Sequence, residues 1–133
     1  MPDTPARSTT KPRLVRAEPQ LFVADVGAAC GYFTGTLGFR VVFAHGEPPF
    51  YAQVQRDGAA LNLRHVDAPL MDAALRDRED YLAAAIPVEG VAELEAEFLA
   101  AGAVFHQRLR TEPWGARTII VKDPDGNLLL FAE

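Results

Sequence analysis

Three histidines, one cysteine and one tryptophan have the widest chemical reach in this chain. His45, His65 and His106 could ligate a metal or carry protons, because imidazole titrates near neutrality. Their spacing does not gather them. Each falls at or near the end of a separate predicted strand, and no i,i+4 pair or short-loop spacing joins two of them. They read as surface or cleft-rim groups, with His65, next to Arg64 at the end of a strand, the best placed to meet a ligand. Cys30 is alone, so an internal disulfide is excluded, and it falls on the apolar stripe of a predicted helix as a small buried hydrophobe. The glycines of "GYFTGTLG" lack the strand and lysine that would cradle a phosphate. Glu93, Glu95 and Glu97 are read as the solvated face of a helix. No nucleophile–base pairing is visible, although a triad assembled in space leaves no trace in sequence order.

The tryptophan lies in "TEPWGART", Thr111 to Thr118, just ahead of an apolar run. Pro113 limits how the loop enters, and Gly115 lets backbone or ligand approach closely. Such a loop could hold the indole of Trp114 as a stacking wall for a flat ring, with Phe50 and Tyr51 as further aromatic lining. The other reading is that Trp114 plugs the end of a barrel-like sheet, since aromatics more often serve cores than ligands.

Elements that would position these groups follow from the pattern. "QLFVADV" is a strand running into a helix capped by Asp25, which carries Val26, Cys30, Phe33 and Leu37 on one stripe and stops at Gly38. Gly31 and Gly35 weaken that helix by about 1 kcal/mol each relative to Ala, so packing must hold it. "FRVVFA", "YAQVQ" and "AALNLRHV" are strands, the last two joined at Asp57-Gly58. The second half repeats the order: "YLAAAIPV" as a strand, a helix with Val91, Leu94, Phe98 and Ala101 inward and its end at Gly102, then "AVFHQRL", "RTIIVK" and "LLLFA". Val23 to Val26 recurs 65 residues on as Val88 to Val91, and Asp57-Gly58 recurs 68 on as Asp125-Gly126. A duplicated βαβββ unit is the result. The fold class is α+β, with two such modules forming a curved mixed sheet around a cleft. The predicted layout is a loose tail over 1–16, then one domain over 17–133, with modules 17–67 and 81–133 joined by a loop over 68–80.

Composition narrows the partners. The net charge is −5 with no Lys/Arg cluster, which argues against nucleic acid and mildly favours cationic ligands. No apolar run approaches the roughly 20 residues that span a bilayer. The polar, proline-bearing start is unlike a signal peptide, so a cytoplasmic location with no membrane partner is expected.

With "FVADVGAACGYFTGTLGFRVVF" near the start and "EPWGARTIIVKDPDGNLLLF" at the end, the chain resembles the vicinal oxygen chelate superfamily. That family includes glyoxalase I, extradiol dioxygenases and bleomycin-resistance proteins. The resemblance runs from about Glu18 to Glu133, and "EPWG" is most similar to the antibiotic-binding branch. It implies two βαβββ modules and a homodimer. It also implies that the Trp of the matching motif, here Trp114 with Gly115, lines a drug groove at the dimer interface.

Enzymes of that family hold a divalent metal with His and Glu on the first and last strand of each module. The repeat places those four positions at Glu18, Asn62, Ala83 and Leu130. Glu18 could ligate and Asn62 is a weak oxygen donor, but Ala83 and Leu130 coordinate nothing, and catalytic zinc needs about three protein ligands. That departure from the family's pattern leads to a binder without metal or cofactor, with Trp114 and Gly115 as the ligand-binding residues the resemblance implies and Phe50, Tyr51, Asn62, His65 and Glu18 added from their own placement in the sequence. It would act by sequestering a small molecule, cationic aromatic antibiotics included. The alternative is a metal-dependent lyase, isomerase or dioxygenase with a divergent site built from Glu18, His65 and His106. A third reading is an accessory module for a cellular metabolite.

Overall fold

A computed structural model describes residues 11–133. The first ten residues of the expected tail lie outside the described residues. The stretch from Lys11 to Pro19 carries neither helix nor strand and is largely exposed. Eleven elements follow in order: β1 (Gln20–Val23), α1 (Val26–Gly35), β2 (Arg40–His45), β3 (Tyr51–Arg56), β4 (Ala59–His65), α2 (Ala73–Glu79), β5 (Leu82–Pro87), α3 (Val91–Ala100), β6 (Val104–Thr111), β7 (Arg117–Lys122) and β8 (Leu128–Ala132).

The repeat is visible in the topology. One four-stranded sheet runs β1-β4-β3-β2 and the other β5-β8-β7-β6, each with a parallel first pair and two antiparallel ones. The strands thus form two mixed sheets rather than one continuous curved sheet. The joint between them is made by side chains: Asp125 Oδ1 accepts from the Ala24 amide at 2.9 Å, and Asn127 Nδ2 donates to the Phe22 carbonyl at 3.2 Å.

Local chemistry explains the helix ends. Asp25 sits in extended backbone and its carboxylate accepts from the Ala28 amide at 2.9 Å, which satisfies one of the free first-turn donors. Helix α3 starts at Gly90 without a side-chain cap of its own. Glu133 supplies it from the far end of the chain, accepting from the Gly90 and Val91 amides at 3.2 and 3.1 Å. The loop expected over 68–80 contains α2, for a legible reason: the Asp72 carboxylate accepts from Leu75 at 3.0 Å, and Ala73-Ala74-Leu75-Arg76 favours helix.

Helices α1 and α3 and the rear faces of both sheets share a single apolar core that includes Leu21, Phe33, Leu63, Phe98, Ile119 and Phe131. Ala29 takes the inward place on α1, and Cys30 lies half-buried beside it. Glu95 and Glu97, expected to be solvated, are instead paired: Glu95 with Arg108 at 2.8 Å and Glu97 with Arg56 at 2.7 Å. Because the rear faces are consumed by this common core, strand alternation turns Gln53 and Asn62 to the front of the first sheet, and Ile120 and Leu130 to the front of the second.

Candidate functional site

Two rows of side chains cross the front of the first sheet. In register across the strands stand Gln20, Asn62, Gln53 and Phe43, and next to them Phe22, Arg64, Tyr51 and His45. At the start of the first row Glu18 adds a carboxylate. Its Oε1 accepts from Gln53 Nε2 at 3.0 Å and from Asn62 Nδ2 at 3.4 Å, while Gln53 Nε2 also donates to Asn62 Oδ1 at 2.9 Å. Its Oε2 accepts from Arg16 Nε at 2.8 Å. The Arg16 bond is the main reason the Glu18 carboxyl is held below its ordinary value, with the Asn62 and Gln53 amides helping and partial desolvation opposing. Glu18 and Asn62 are thus brought together as the family positions require, and Gln53, which spacing alone did not single out, is the buried residue that ties them.

The aromatic residues lie beside this cluster. Phe43 and Tyr51 meet with ring centroids 5.7 Å apart, and His45 meets the Phe50 ring edge-on at 5.4 Å. Phe50 is 52% exposed and lies against Gly46, where a Cβ would come within 2.5 Å of the ring. Only a glycine leaves the ring that room. Gly46 also has φ +101°, in the region that favours glycine.

Trp114 occupies the corresponding place in the second module. The turn from Glu112 to Ala116 is closed by Glu112 N–H to Ala116 O at 2.7 Å and Gly115 N–H to Glu112 O at 2.8 Å. Gly115 has φ +99°. Trp114 is 75% exposed, so it does not plug a sheet end. It stacks on no other ring among the described residues and stands apart from Phe50 and Tyr51, which belong to the other sheet. Each module thus raises one exposed aromatic at the turn before its third strand.

The histidines do not join the cluster. His65 pairs with Val23, whose side chain is in the core, so it faces away from Asn62. Both of its ring nitrogens are engaged, Nδ1 with the Ala24 carbonyl at 2.7 Å and Nε2 with Asp67 at 2.9 Å. The Asp67 bond, then the Ala24 carbonyl, hold its pKa up. His106 belongs to the other sheet and meets Asp80 at 2.7 Å. The divergent set of Glu18, His65 and His106 is therefore not assembled.

The residues at the family's metal positions do not fit a metal. Glu18 and Asn62 are bonded to Gln53, and their counterparts Ala83 and Leu130, with Ile120 in the place of Gln53, are hydrocarbon. Among the described residues no three His, Cys, Asp or Glu side chains converge. Catalytic zinc takes about three such ligands.

Two βαβββ modules, packed through one common core, define the fold. The chain belongs to the glyoxalase/bleomycin resistance protein/dioxygenase superfamily, whose family model matches residues 13–131. Among solved structures it is similar to the bleomycin-binding protein from bleomycin-producing Streptomyces verticillus complexed with copper(II)-bleomycin. The two are 25% identical, with a TM-score of 0.70 over 91% of this chain and 97% of that one. TioX from Micromonospora sp. ML1 is 24% identical, with a TM-score of 0.68 over 86% of this chain and 94% of that one. A glyoxalase-related enzyme from Clostridium phytofermentans is 21% identical, with a TM-score of 0.70 over 93% and 98%. None of the curated proteins matches the chain. Among the described residues no helix is long and apolar enough to cross a membrane.

Proposed function

We propose that this protein binds a small, flat organic molecule without a metal and acts by withdrawing it from its target, cationic aromatic antibiotics being the first class to test. One observation carries the reading. The positions from which relatives chelate an ion are occupied here by a self-bonded carboxylate–amide cluster on one module and by hydrocarbon on the other. A surface of that kind orients a guest by a few hydrogen bonds and holds it by contact. Phe43, Phe50, Tyr51 and Trp114 supply aromatic area, and Glu18 supplies the negative charge that a cation would meet. His65 belongs to the rim at most, since both its nitrogens are taken. The same reading includes pairing as a homodimer. Val41, Val42 and Phe43 are each about 40% exposed along β2, and a second copy covering that strand would wall the open front.

Trp114 is the only indole, so its emission reports on a guest that reaches the turn before β7. Titration with metal-free bleomycin should give a saturable change in emission and raise the melting temperature. Trp114→Ala should weaken binding by about 1–3 kcal/mol. Unchanged emission and melting temperature across a panel of planar cations would overturn the antibiotic reading. Stoichiometric zinc, nickel, manganese or iron after purification without chelators would favour the lyase, isomerase or dioxygenase alternative.

A further inference from the structure

A second cavity, of about 300 Å³, lies where the two modules meet, beneath the segment that links them. It meets the front rows of the first sheet at Gln20 and Phe22 but is lined by none of Glu18, Gln53 and Asn62. Its walls are apolar and come from both modules and the link: Phe22 of β1, Leu82 of β5, Leu128 of β8, and Met71 and Tyr81 flanking α2. Met71, Tyr81 and Leu82 are each more than 40% exposed, so its mouth is apolar too.

One cation lines this cavity, Arg76. The Arg76 side chain is only 15% exposed, and its guanidinium lies on the backbone of the Asp125–Gly126 turn. A Cβ on Gly126 would meet Nη1, so the guanidinium rests directly against the turn. Nε donates to Asp77 at 3.0 Å. Nη1 and Nη2 have no acceptor among the described residues, yet no buried side-chain nitrogen is left without a partner, so both must reach the open space.

The surrounding carboxylates do not quench it. Asp77 is shared with Lys122, whose Nζ reaches it at 2.7 Å. Asp125 is committed to the Ala24 amide at 2.9 Å. Asp67, at the rim of the cavity, pairs with His65 and turns a side chain that is 98% exposed to solvent. Gln20, on the opposite wall, adds an amide with no partner among the described residues.

We infer that this cavity is a second ligand site, which takes a small carboxylate with an apolar body. The two terminal nitrogens of Arg76 present the planar fork that a carboxylate matches with parallel hydrogen bonds. The apolar walls accept the remainder. An apolar chamber with few convergent polar groups is the usual form of a small-molecule site, and this one is at the small end of the range. Because the walls come from β1, β5, β8 and the link, an occupant would bridge the two modules.

Phenylacetate is the probe, with phenylacetamide as its uncharged counterpart. Amide nitrogen–proton correlation spectra of the full-length protein should show saturable shifts at Gln20, Leu82, Ala83 and Asn127, and at Arg76 Nε, with millimolar phenylacetate. Phenylacetamide should bind about tenfold more weakly or worse, a comparison that needs no variant. Arg76→Leu, verified as folded by its own spectrum, should lose the phenylacetate shifts. Equal binding of the two probes, shifts confined to other residues, or no saturable shift at all would overturn the assignment. Shifts at Gln53 and Asn62 alone would place the probe on the front of the first sheet and also count against this cavity. The metal-free bleomycin titration is read separately, so failure of one leaves the other standing.

Discussion

Replacing Arg56 with Met and Glu97 with Gln, singly and together, measures how much of the contact between the modules is electrostatic. Arg56 ends β3 of the first module, and Glu97 lies on α3 of the second. The guanidinium meets the carboxylate through both terminal nitrogens, at 2.7 and 2.9 Å, and Nη1 also donates to the Leu37 carbonyl at 2.9 Å. Exposed ion pairs couple by about 0.2–1 kcal/mol, and the bidentate geometry argues for the top of that range. The side chains are 29% and 47% exposed, so solvent screening keeps the coupling near 1 kcal/mol rather than several. Arg56→Met also strips the Leu37 carbonyl of its donor, for about 1 kcal/mol more. The expected costs are therefore about 2 kcal/mol for Arg56→Met, about 1 for Glu97→Gln, and about 2 for the pair. Urea unfolding followed by circular dichroism gives all three.

The pH dependence has a definite sign. Arg56 holds the Glu97 carboxyl below its ordinary value of 4.5, and the bond to Arg56 is the largest cause. A depressed carboxyl contributes stability above its unfolded pKa and loses it as pH falls through the folded one. The coupling should thus be complete near neutrality, shrink below pH 4.5, and weaken in high salt. A cycle that closes to zero at neutral pH and low salt would refute the reasoning, as would a coupling that survives full protonation of Glu97.

Three further outcomes are expected. Asp25→Ala should cost about 1 kcal/mol in thermal unfolding, while Asp25→Ser should cost little, because the Ala28 amide loses its acceptor only in the first. Asp123 is 3% exposed, and burial pushes its carboxyl up to about 6 against the Asn127 and Asp125 N–H donors. The folded state then holds the proton more tightly than the unfolded one, so stability should fall as pH rises from the ordinary 3.8 through about 6, and Asp123→Asn should flatten that slope in unfolding curves taken across the range. Trp114→Ala should leave the free energy of unfolding within about 0.5 kcal/mol of the parent in urea curves, because an indole that is 75% exposed contributes little to the core.

The fold was legible because periodicity and punctuation agree. Asp25 caps a helix that buries Val26 and Phe33 of the expected stripe and ends at Gly35, ahead of the expected stop at Gly38, and Asp57-Gly58 turns the hairpin between β3 and β4. The helix α2 was missed because its signals, one Asp cap and four residues of good propensity, lie in a stretch with no apolar stripe to bury. Glu133 as the cap of α3 was beyond reach for a different reason. The donors and the acceptor are 42 and 43 residues apart, and no local pattern links them. The same limit hid Gln53. An isolated Gln on an alternating strand reads as a solvated position, and only the pairing of β3 with β4 shows that it stands between Glu18 and Asn62. Sidedness explains the misjudged His65. It is three residues past Asn62, so the two-residue period of a strand puts them on opposite faces.

The duplication lets one module serve as the control for the other. Where the first carries Gln53 paired with Asn62, the second carries Ile120 paired with Leu130, and the sequence repeat sets Ala83 against Glu18. Copying the second set into the first, as Glu18→Ala, Gln53→Ile and Asn62→Leu, separates the cluster's role in stability from its role in recognition. Gln53→Ile alone removes the donor that Glu18 and Asn62 share at 3.0 and 2.9 Å, and leaving such groups unpaired costs about 1–3 kcal/mol. Removing all three partners leaves only Arg16, whose side chain is 40% exposed and open to water, without its bond, so the triple variant should recover most of that loss rather than add to it. If the cluster orients a guest, the recovered protein should still fail to bind the ligand its parent binds. A triple variant whose destabilisation equals or exceeds the sum of the three single changes would show that these side chains are structural supports, and the case for recognition on this face would fall with it.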